Sequence, residues 1–171
     1  MWNMIGTASA FLLGIIAIAG AFAMGSDWLG NSRANDLPRL SAELGLKLYQ
    51  TYSMRPGIFG TAVIADSSVI NNNLAPSDFM DTANSRLVNG YAGDITVTGA
   101  GPRVHVDHDS IPEEACIEML KNLGQGRGYE TVAVASSLGG LSGATAQTLP
   151  ITDASSLCTT DPMAVRFTFR Y

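Results

Sequence analysis

The chain has 171 residues, of which 15% are charged, and it carries a formal net charge of -5 with an isoelectric point near 4.8. This composition argues against a direct nucleic-acid partner, because phosphate backbones are bound by clustered Lys and Arg side chains. Beyond an apolar N-terminal stretch, about 145 residues remain, which is enough for one domain with a single core and too few for two.

The N-terminal stretch has no charged side chain before Asp27. As a helix, about 25 such residues with a rise of about 1.5 Å each would reach about 37 Å, which exceeds a hydrocarbon core of about 30 Å. A cleaved signal peptide is the alternative, but it needs a basic segment before the apolar run, and the first basic residue is Arg33. We expect residues 1–30 to form an apolar helix that anchors the chain in a membrane. Residues 31–171 would form a globular domain that includes the amphipathic half of the same helix.

Two features of the sequence give conflicting predictions for the side of the membrane on which the domain lies. The positive-inside rule, applied to Arg33, would leave the domain in the cytoplasm. The two cysteines, Cys116 and Cys158, instead favour an oxidising compartment, where they permit one disulfide; two unpaired thiols are the alternative. The conflict disappears if a short basic leader has been removed and Met1 begins the mature chain. A signal anchor that starts at Met1 is the other hypothesis.

Leucines at spacings of three and four predict an amphipathic helix after the apolar stretch. They are Leu37, Leu40, Leu44 and Leu48, with Tyr49 and Tyr52 widening the same face. Asn35 or Asp36 would cap the first turn, where Pro38 is tolerated because its missing N–H is not needed.

Shorter elements follow this helix. A helical segment is predicted for residues 61–69, a turn or helix starts at residues 75–78, and residues 89–93 carry the glycines of a turn. The four residues 110–113, with Ser first and Glu last, fit a capping box that opens a helix carrying Cys116.

The second half of the chain has the alternation and the turns of strands. Residues 94–98 and 102–107 predict a hairpin, residues 129–137 a third strand, and the alternating residues 164–171 a half-buried last strand. Residues 138–150 are rich in Gly, Ser, Thr and Ala and predict an exposed loop. The expected fold class is α+β, with the long helix packed on an antiparallel sheet.

The densest polar cluster is His105, Asp107, His108 and Asp109. On a strand, His105 and Asp107 share a face while His108 points away, and no third ligand is evident for a metal ion. The expected role is a solvated strand end. His108, Asp109 and Ser110 cannot act as a hydrolytic triad, because adjacent residues do not converge on one substrate. No catalytic, metal or cofactor-binding residue is predicted, no cofactor is expected, and the chain is not expected to be an enzyme.

Two segments carry a family resemblance. Residues 114–124, with Cys116, look like the cysteine-bearing helix of type IV pilins, and residues 157–167 look like the family's second cysteine and terminal strand. The order of elements along the whole chain resembles the type IVb class. Within it, the uncharged start is most similar to the major pilin of conjugative-plasmid thin pili (PilS-type). One departure is Ile5, where pilins usually carry a glutamate that neutralises the amine of a neighbouring subunit.

This resemblance implies a type IV pilin fold with a disulfide between Cys116 and Cys158. It also implies a structural subunit that polymerises with itself into a helical filament. A prepilin peptidase would generate Met1 as an N-terminus open to methylation. The subunit would wait in the bacterial inner membrane, pass through a pilus assembly machinery and end in an extracellular pilus that acts in conjugation or cell adhesion. A tip adhesin or a minor pilin is a further implied partner.

The N-terminal stretch supplies the residues expected to build the filament. Those expected to pack in its core are Trp2, Met4, Ile5, Phe11, Leu12, Leu13, Ile15, Ile16, Ile18, Phe22 and Met24. The glycines expected to allow helix melting or close approach are Gly14, Gly20, Gly25 and Gly30. The alternatives are a signal-anchored periplasmic binding domain and a minor pilin or secretion-system pseudopilin.

Overall fold

The computed structural model describes residues 33–51, 60–123 and 128–170. The apolar N-terminal stretch and residues 52–59 lie outside them. In chain order the described elements are helix α1 (33–51), β1 (Val63–Ile64), α2 (Asp66–Asn71), a 3-10 helix (Ser77–Phe79), β2 (Met80–Asp81), β3 (Arg86–Leu87), β4 (Ile95–Ala100), β5 (Arg103–Ile111), α3 (Glu113–Lys121), β6 (Tyr129–Ala135), a second 3-10 helix (Leu138–Ser142) and β7 (Met163–Arg170).

Five strands form an antiparallel sheet in the order β1-β4-β5-β7-β6, and β2 pairs with β3 beside it. The register places one apolar row across four neighbouring strands. Val97 lies opposite Val106, Val106 opposite Phe167, and Phe167 opposite Val132. All four side chains are fully buried, so this row is the floor of the core.

Helix α1 covers that floor. Its four leucines are buried in one apolar cluster with the sheet, which confirms the helix packed on an antiparallel sheet. The predicted boundary is wrong, because residues 33–36 are already helical, so neither Asn35 nor Asp36 caps a first turn. Tyr49 does not widen the buried face, since 38% of it is exposed.

The sheet confirms the four predicted strands, of which β5 is longer than predicted. The hairpin, the strand from Tyr129 and the alternating last strand are present as β4–β5, β6 and β7. The segment predicted as one helix at residues 61–69 is instead strand β1 followed by α2. Pairing of β1 with β4 overrides its helical propensity, because the edge of β4 offers backbone partners that local sequence cannot reveal.

The predicted capping box is also wrong. Helix α3 begins at Glu113, the residue at its N-cap is Pro112, and no side chain caps it. Ser110 lies within β5 with a φ of 57°, where the register between β5 and β7 shifts. The strand therefore continues through the residue that local sequence assigned to the helix cap.

The turn at residues 89–93 is held by one buried amide. The Asn89 side chain donates to the carbonyl of Asp109 at 2.7 Å, and its oxygen accepts from the backbone N–H groups of Tyr91 at 2.8 Å and Gly93 at 3.1 Å. A Cβ on Gly93 would lie 2.0 Å from that Asp109 carbonyl oxygen. The turn and the end of β5 are thus in contact through a position that only glycine fits.

Gly93→Ala is expected to lower the free energy of unfolding by about 1–3 kcal/mol, because the added methyl group must push the Asp109 backbone away. Urea unfolding followed by circular dichroism measures it. The control is Gly139→Ala, where an added Cβ has no atom within 4 Å. Equal stability of the two variants would contradict the close approach.

Candidate functional site

The two cysteines form a disulfide. The sulfurs of Cys116, on α3, and Cys158, in the segment before β7, are 2.05 Å apart, and both residues are buried. This confirms the pairing expected from the sequence. The bond joins α3 to the segment that immediately precedes β7. The two cysteines are 42 positions apart in the sequence.

Replacing both cysteines by alanine is expected to lower the free energy of unfolding by about 4 kcal/mol, because the unfolded chain regains the entropy of a loop of about 43 residues. Thermal unfolding with and without a reducing agent measures the effect. The reducing agent should lower the melting temperature of the native chain and leave that of the Cys116→Ala/Cys158→Ala variant unchanged. A native melting temperature that reduction does not alter would contradict a stabilising role.

A polar contact joins helix α1 to β5 inside the core. Ser41 Oγ donates to the Leu37 carbonyl at 2.7 Å and lies 2.8 Å from His108 Nε2. Because the single hydroxyl hydrogen goes to Leu37, the imidazole donates from Nε2 to Ser41, and Nδ1 is the unprotonated nitrogen. Within the described residues Nδ1 has no hydrogen-bond partner.

The surroundings of His108 are apolar. Its ring contacts Phe79 and Phe167 edge-on, with ring centroids 5.4 Å and 5.7 Å away, and it is fully buried. Burial lowers the pKa of His108 to about 3, so the ring is neutral at physiological pH. The prediction that this residue belongs to a solvated strand end is wrong, because α1 and the first 3-10 helix cover this face of the strand.

The other face of β5 carries His105 and Asp107, as the strand alternation predicts. Asp107 accepts two hydrogen bonds of 2.7 Å from Arg166, which lies directly opposite on β7. Arg166 also donates to the Leu141 carbonyl at 3.3 Å. His105 Nδ1 lies 3.1 Å from Thr168 Oγ1, and burial, together with the charge of Arg166, lowers its pKa. The cluster is therefore divided between two faces of the sheet.

Residues 138–150 pack across this second face. Leu141 is 2% exposed and lies in a small apolar cluster with Ala133 and Ala164, while Gln147 exchanges backbone hydrogen bonds with Val132. The prediction of an exposed loop is thus wrong for its middle, because one apolar side chain reaches the sheet. The loop and the sheet enclose a groove of about 360 Å³, which we call the outer-sheet groove.

Six polar strand residues line the outer-sheet groove: Arg103, His105, Glu130, Thr131, Arg166 and Thr168. Arg103 and Glu130 form a two-point ion pair with distances of 2.5 and 3.0 Å. The strand alternation marks most of these side chains as outward-facing, but their partners lie on strands far apart in sequence. Sequence reasoning therefore missed the groove, and it missed Ser41 because a single serine on a leucine-rich face carries no signal.

The described residues contain neither a cluster of metal ligands nor a membrane-spanning helix. In residues 33–51, 60–123 and 128–170, no three His, Cys, Asp or Glu side chains cluster as a metal site would require. None of the helices described in the structure combines the length and apolarity needed to cross a bilayer. The predicted filament-core residues, the four glycines and Met1 all lie outside the described residues.

Comparison with known families decides the identity. The family model described as PilS N terminal matches residues 38–170. The chain belongs to the PilS family. Among curated protein sequences, none matches this PilS-family chain.

Two solved structures are similar to the PilS-family chain. TcpA, a type IV pilin from Vibrio cholerae El Tor biotype, is 12% identical with a TM-score of 0.54, and the match covers 82% of this chain and 98% of that one. The type IVb pilin from Salmonella typhi is 20% identical with a TM-score of 0.49, covering 78% and 98%. The fold is that of type IV pilins. The chain is therefore a member of the PilS family with the fold of type IV pilins.

Proposed function

We propose that the chain is the major pilin of a type IVb pilus, and that this pilus is a conjugative thin pilus that brings donor and recipient cells into contact. One observation carries the proposal. The PilS family model matches 38–170, nearly the whole described domain, and this domain follows a stretch without charge before Asp27. A pilin domain joined to an apolar helix is the arrangement that a filament with an apolar core requires.

Residues 1–30 would serve in two environments. Before assembly the apolar helix lies in the inner membrane with residues 31–171 outside the cytoplasm. After assembly the same helix packs against its copies. Burial of each large apolar side chain contributes about 1.5–3 kcal/mol, and the sum over the helix exceeds the entropy lost on association. A head-to-tail contact that does not close into a ring repeats as a helical filament.

The N-terminal amine needs a partner in this scheme, because position five is Ile5 and no acidic side chain precedes Asp27. We propose that hydroxyl or backbone oxygens of a neighbour, such as those of Thr7 or Ser9, accept its hydrogen bonds. Prepilin peptidase would generate the amine at Met1. Mass spectrometry of the mature subunit tests this step, since a chain that begins at Met1 and carries one added methyl group is the expected species.

Electron microscopy of sheared surface material tests the proposal as a whole. Antibodies raised against the described domain should label filaments along their full length, because a major pilin contributes every repeat. Label confined to one end or to scattered points would contradict the major-pilin role. If wild-type cells show no labelled filaments and detergent extracts contain only monomers, the signal-anchored binding domain is favoured instead.

The conjugative role has a separate readout. Deleting the gene in donor cells should reduce plasmid transfer to recipients, and restoring the native chain should recover it. The control is restoration with a chain truncated before residue 163, which lacks β7 and cannot complete the sheet. Transfer that persists without labelled filaments would contradict conjugation while leaving the pilin assignment unchanged.

A further inference from the structure

The outer-sheet groove presents donors and acceptors side by side. Arg103 uses Nε and Nη2 on Glu130, and Nη1 makes no hydrogen bond to any residue that the structure describes, so it can donate to a ligand. His105 contacts Thr168 through Nδ1, and within the described residues Nε2 makes no further hydrogen bond. Thr131 adds a hydroxyl from the neighbouring strand. Groups that both give and receive hydrogen bonds thus converge on one small surface.

Each charged side chain that lines the groove has an ion-pair partner. Arg103 is paired with Glu130, and Arg166 is paired with Asp107. Arg170 approaches Glu130 from the side at 3.5 Å, and the ring of His105 is kept neutral because burial lowers its pKa. An ionic ligand would have to displace one of these partners or face the Glu130 carboxylate. A neutral ligand leaves both pairs intact.

One wall of the groove is small and apolar. Ala133, Ala144 and Ala146 line it beside the polar floor, and their methyl groups leave the space open. The volume of about 360 Å³ is near the lower end of the range of about 300–1,000 Å³ for small-molecule sites. A hydroxyl-rich ring with a C–H face matches both the floor and the wall.

We propose that the outer-sheet groove is a binding site for a neutral saccharide. Ring hydroxyls of such a ligand bridge the Arg103–Glu130 pair and reach the free nitrogen of His105, while its C–H face lies on the alanines. The groove is on the face of the sheet opposite α1, since His105 and Thr168 point away from the core side that holds His108.

The biological role of this binding site rests on the proposed function. In a filament whose helices lie inside, the face of the sheet opposite α1 is turned outward. A single groove with a few hydrogen bonds binds weakly, but a polymer presents the same groove on every subunit. Linked copies that engage neighbouring sugars on a cell surface raise the apparent affinity by about 10²–10⁴-fold without any new contact.

Titration of the full-length chain in a zwitterionic detergent without sugar head groups tests the inference. The probes are the methyl glycosides of glucose, galactose, mannose and N-acetylglucosamine. Binding of each probe is followed by two-dimensional NMR of the labelled protein. At least one glycoside should bind saturably in the millimolar range and shift the amide signals of Thr131, Thr168 and Ala146. Acetate, phosphate and N-acetylneuraminic acid are the charged comparisons, and they should not bind at the groove.

Ala146→Trp fills the groove from its exposed wall and should weaken glycoside binding at least tenfold. Ala83→Trp, at an exposed residue outside the groove, is the control and should leave binding unchanged. Thr131→Val removes one hydroxyl with little change of shape, and its control is the exposed Thr82→Val.

Saturable binding by none of the four glycosides, binding by the charged probes alone, or full binding by Ala146→Trp would overturn the inference. The titration uses the unassembled subunit, so its outcome is independent of filament formation. A chain that binds a glycoside and forms no filaments would contradict the proposed function only.

Discussion

Leu13→Asp is expected to abolish filaments while the domain keeps its fold. Leu13 lies in the middle of the apolar stretch, which we propose as the filament core. A carboxylate there costs about 2.5–3.5 kcal/mol in a single membrane helix, and the same charge would recur in every subunit of the polymer. Like charges brought together in an apolar environment add repulsion. Electron microscopy of sheared surface material measures the loss.

The matched control for this prediction is Leu13→Met, which keeps the size and apolarity of the side chain and should assemble normally. Both variants should show native thermal unfolding and an intact Cys116–Cys158 bond, since the change lies outside the described domain. Both should also remain in the membrane fraction, because the other apolar residues of the stretch outweigh one charge. Intact pili from Leu13→Asp would refute packing of this residue in the core.

Acid is expected to destabilise the domain through His108. In the unfolded chain an imidazole titrates near pH 6.5, whereas burial lowers the pKa of His108 to about 3 in the fold. Well above pH 6.5 the ring is neutral in both states and adds no pH dependence to the stability. Below pH 6.5, His108 is protonated in the unfolded chain but stays neutral in the folded chain. The free energy of unfolding therefore falls by up to about 1.4 kcal/mol per pH unit. The loss approaches about 4–5 kcal/mol near pH 3.

Urea unfolding between pH 7.5 and pH 5 limits the pH dependence mainly to the two histidines, because most carboxylates stay ionised there. The double variant Ser41→Ala/His108→Leu removes both partners of the buried hydrogen bond and should lose most of the pH dependence. His105→Gln is the control for the other histidine, whose pKa is also lowered, by burial first. It should retain the pH dependence that His108 produces. An unchanged slope in the double variant would contradict the assignment to His108.

The sequence predicted those helices and strands whose position follows from the spacing of apolar residues along the chain. The leucine spacing of α1 states which side is buried, because the periodicity follows from backbone geometry alone. The alternation of β7 gave its core face, but the prediction of a half-buried strand is wrong, since Ala164 and Thr168 on the other face are buried too. The cysteine pairing followed because two cysteines permit one bond. The order of the elements predicted a helix packed on an antiparallel sheet, and the resemblance added the pilin family; the family match and the pilin fold confirm these predictions.

The errors arise where contacts with a distant strand or helix determine the local structure or the burial of a residue. Residues 63–64 became a strand because β4 lay beside them, and Ser110 stayed in β5 because β7 pairs with that strand through a shifted register. His108 looked solvated because its neighbours in sequence are acidic, yet Ser41 and Phe79 cover it from elsewhere. The outer-sheet groove depends on three strands and a loop, so no single stretch of sequence contains its shape.

The position of β7 has a consequence for the order in which the protein can be made. β7 follows β6 in sequence but lies between β6 and β5, so it supplies the backbone partners of both. A chain emerging from N- to C-terminus cannot close this sheet until residues 163–170 have been released. Until then, one edge of β5 and the β7-facing edge of β6 lack their backbone partners, and unpaired strand edges are the sites at which incomplete chains pair with one another.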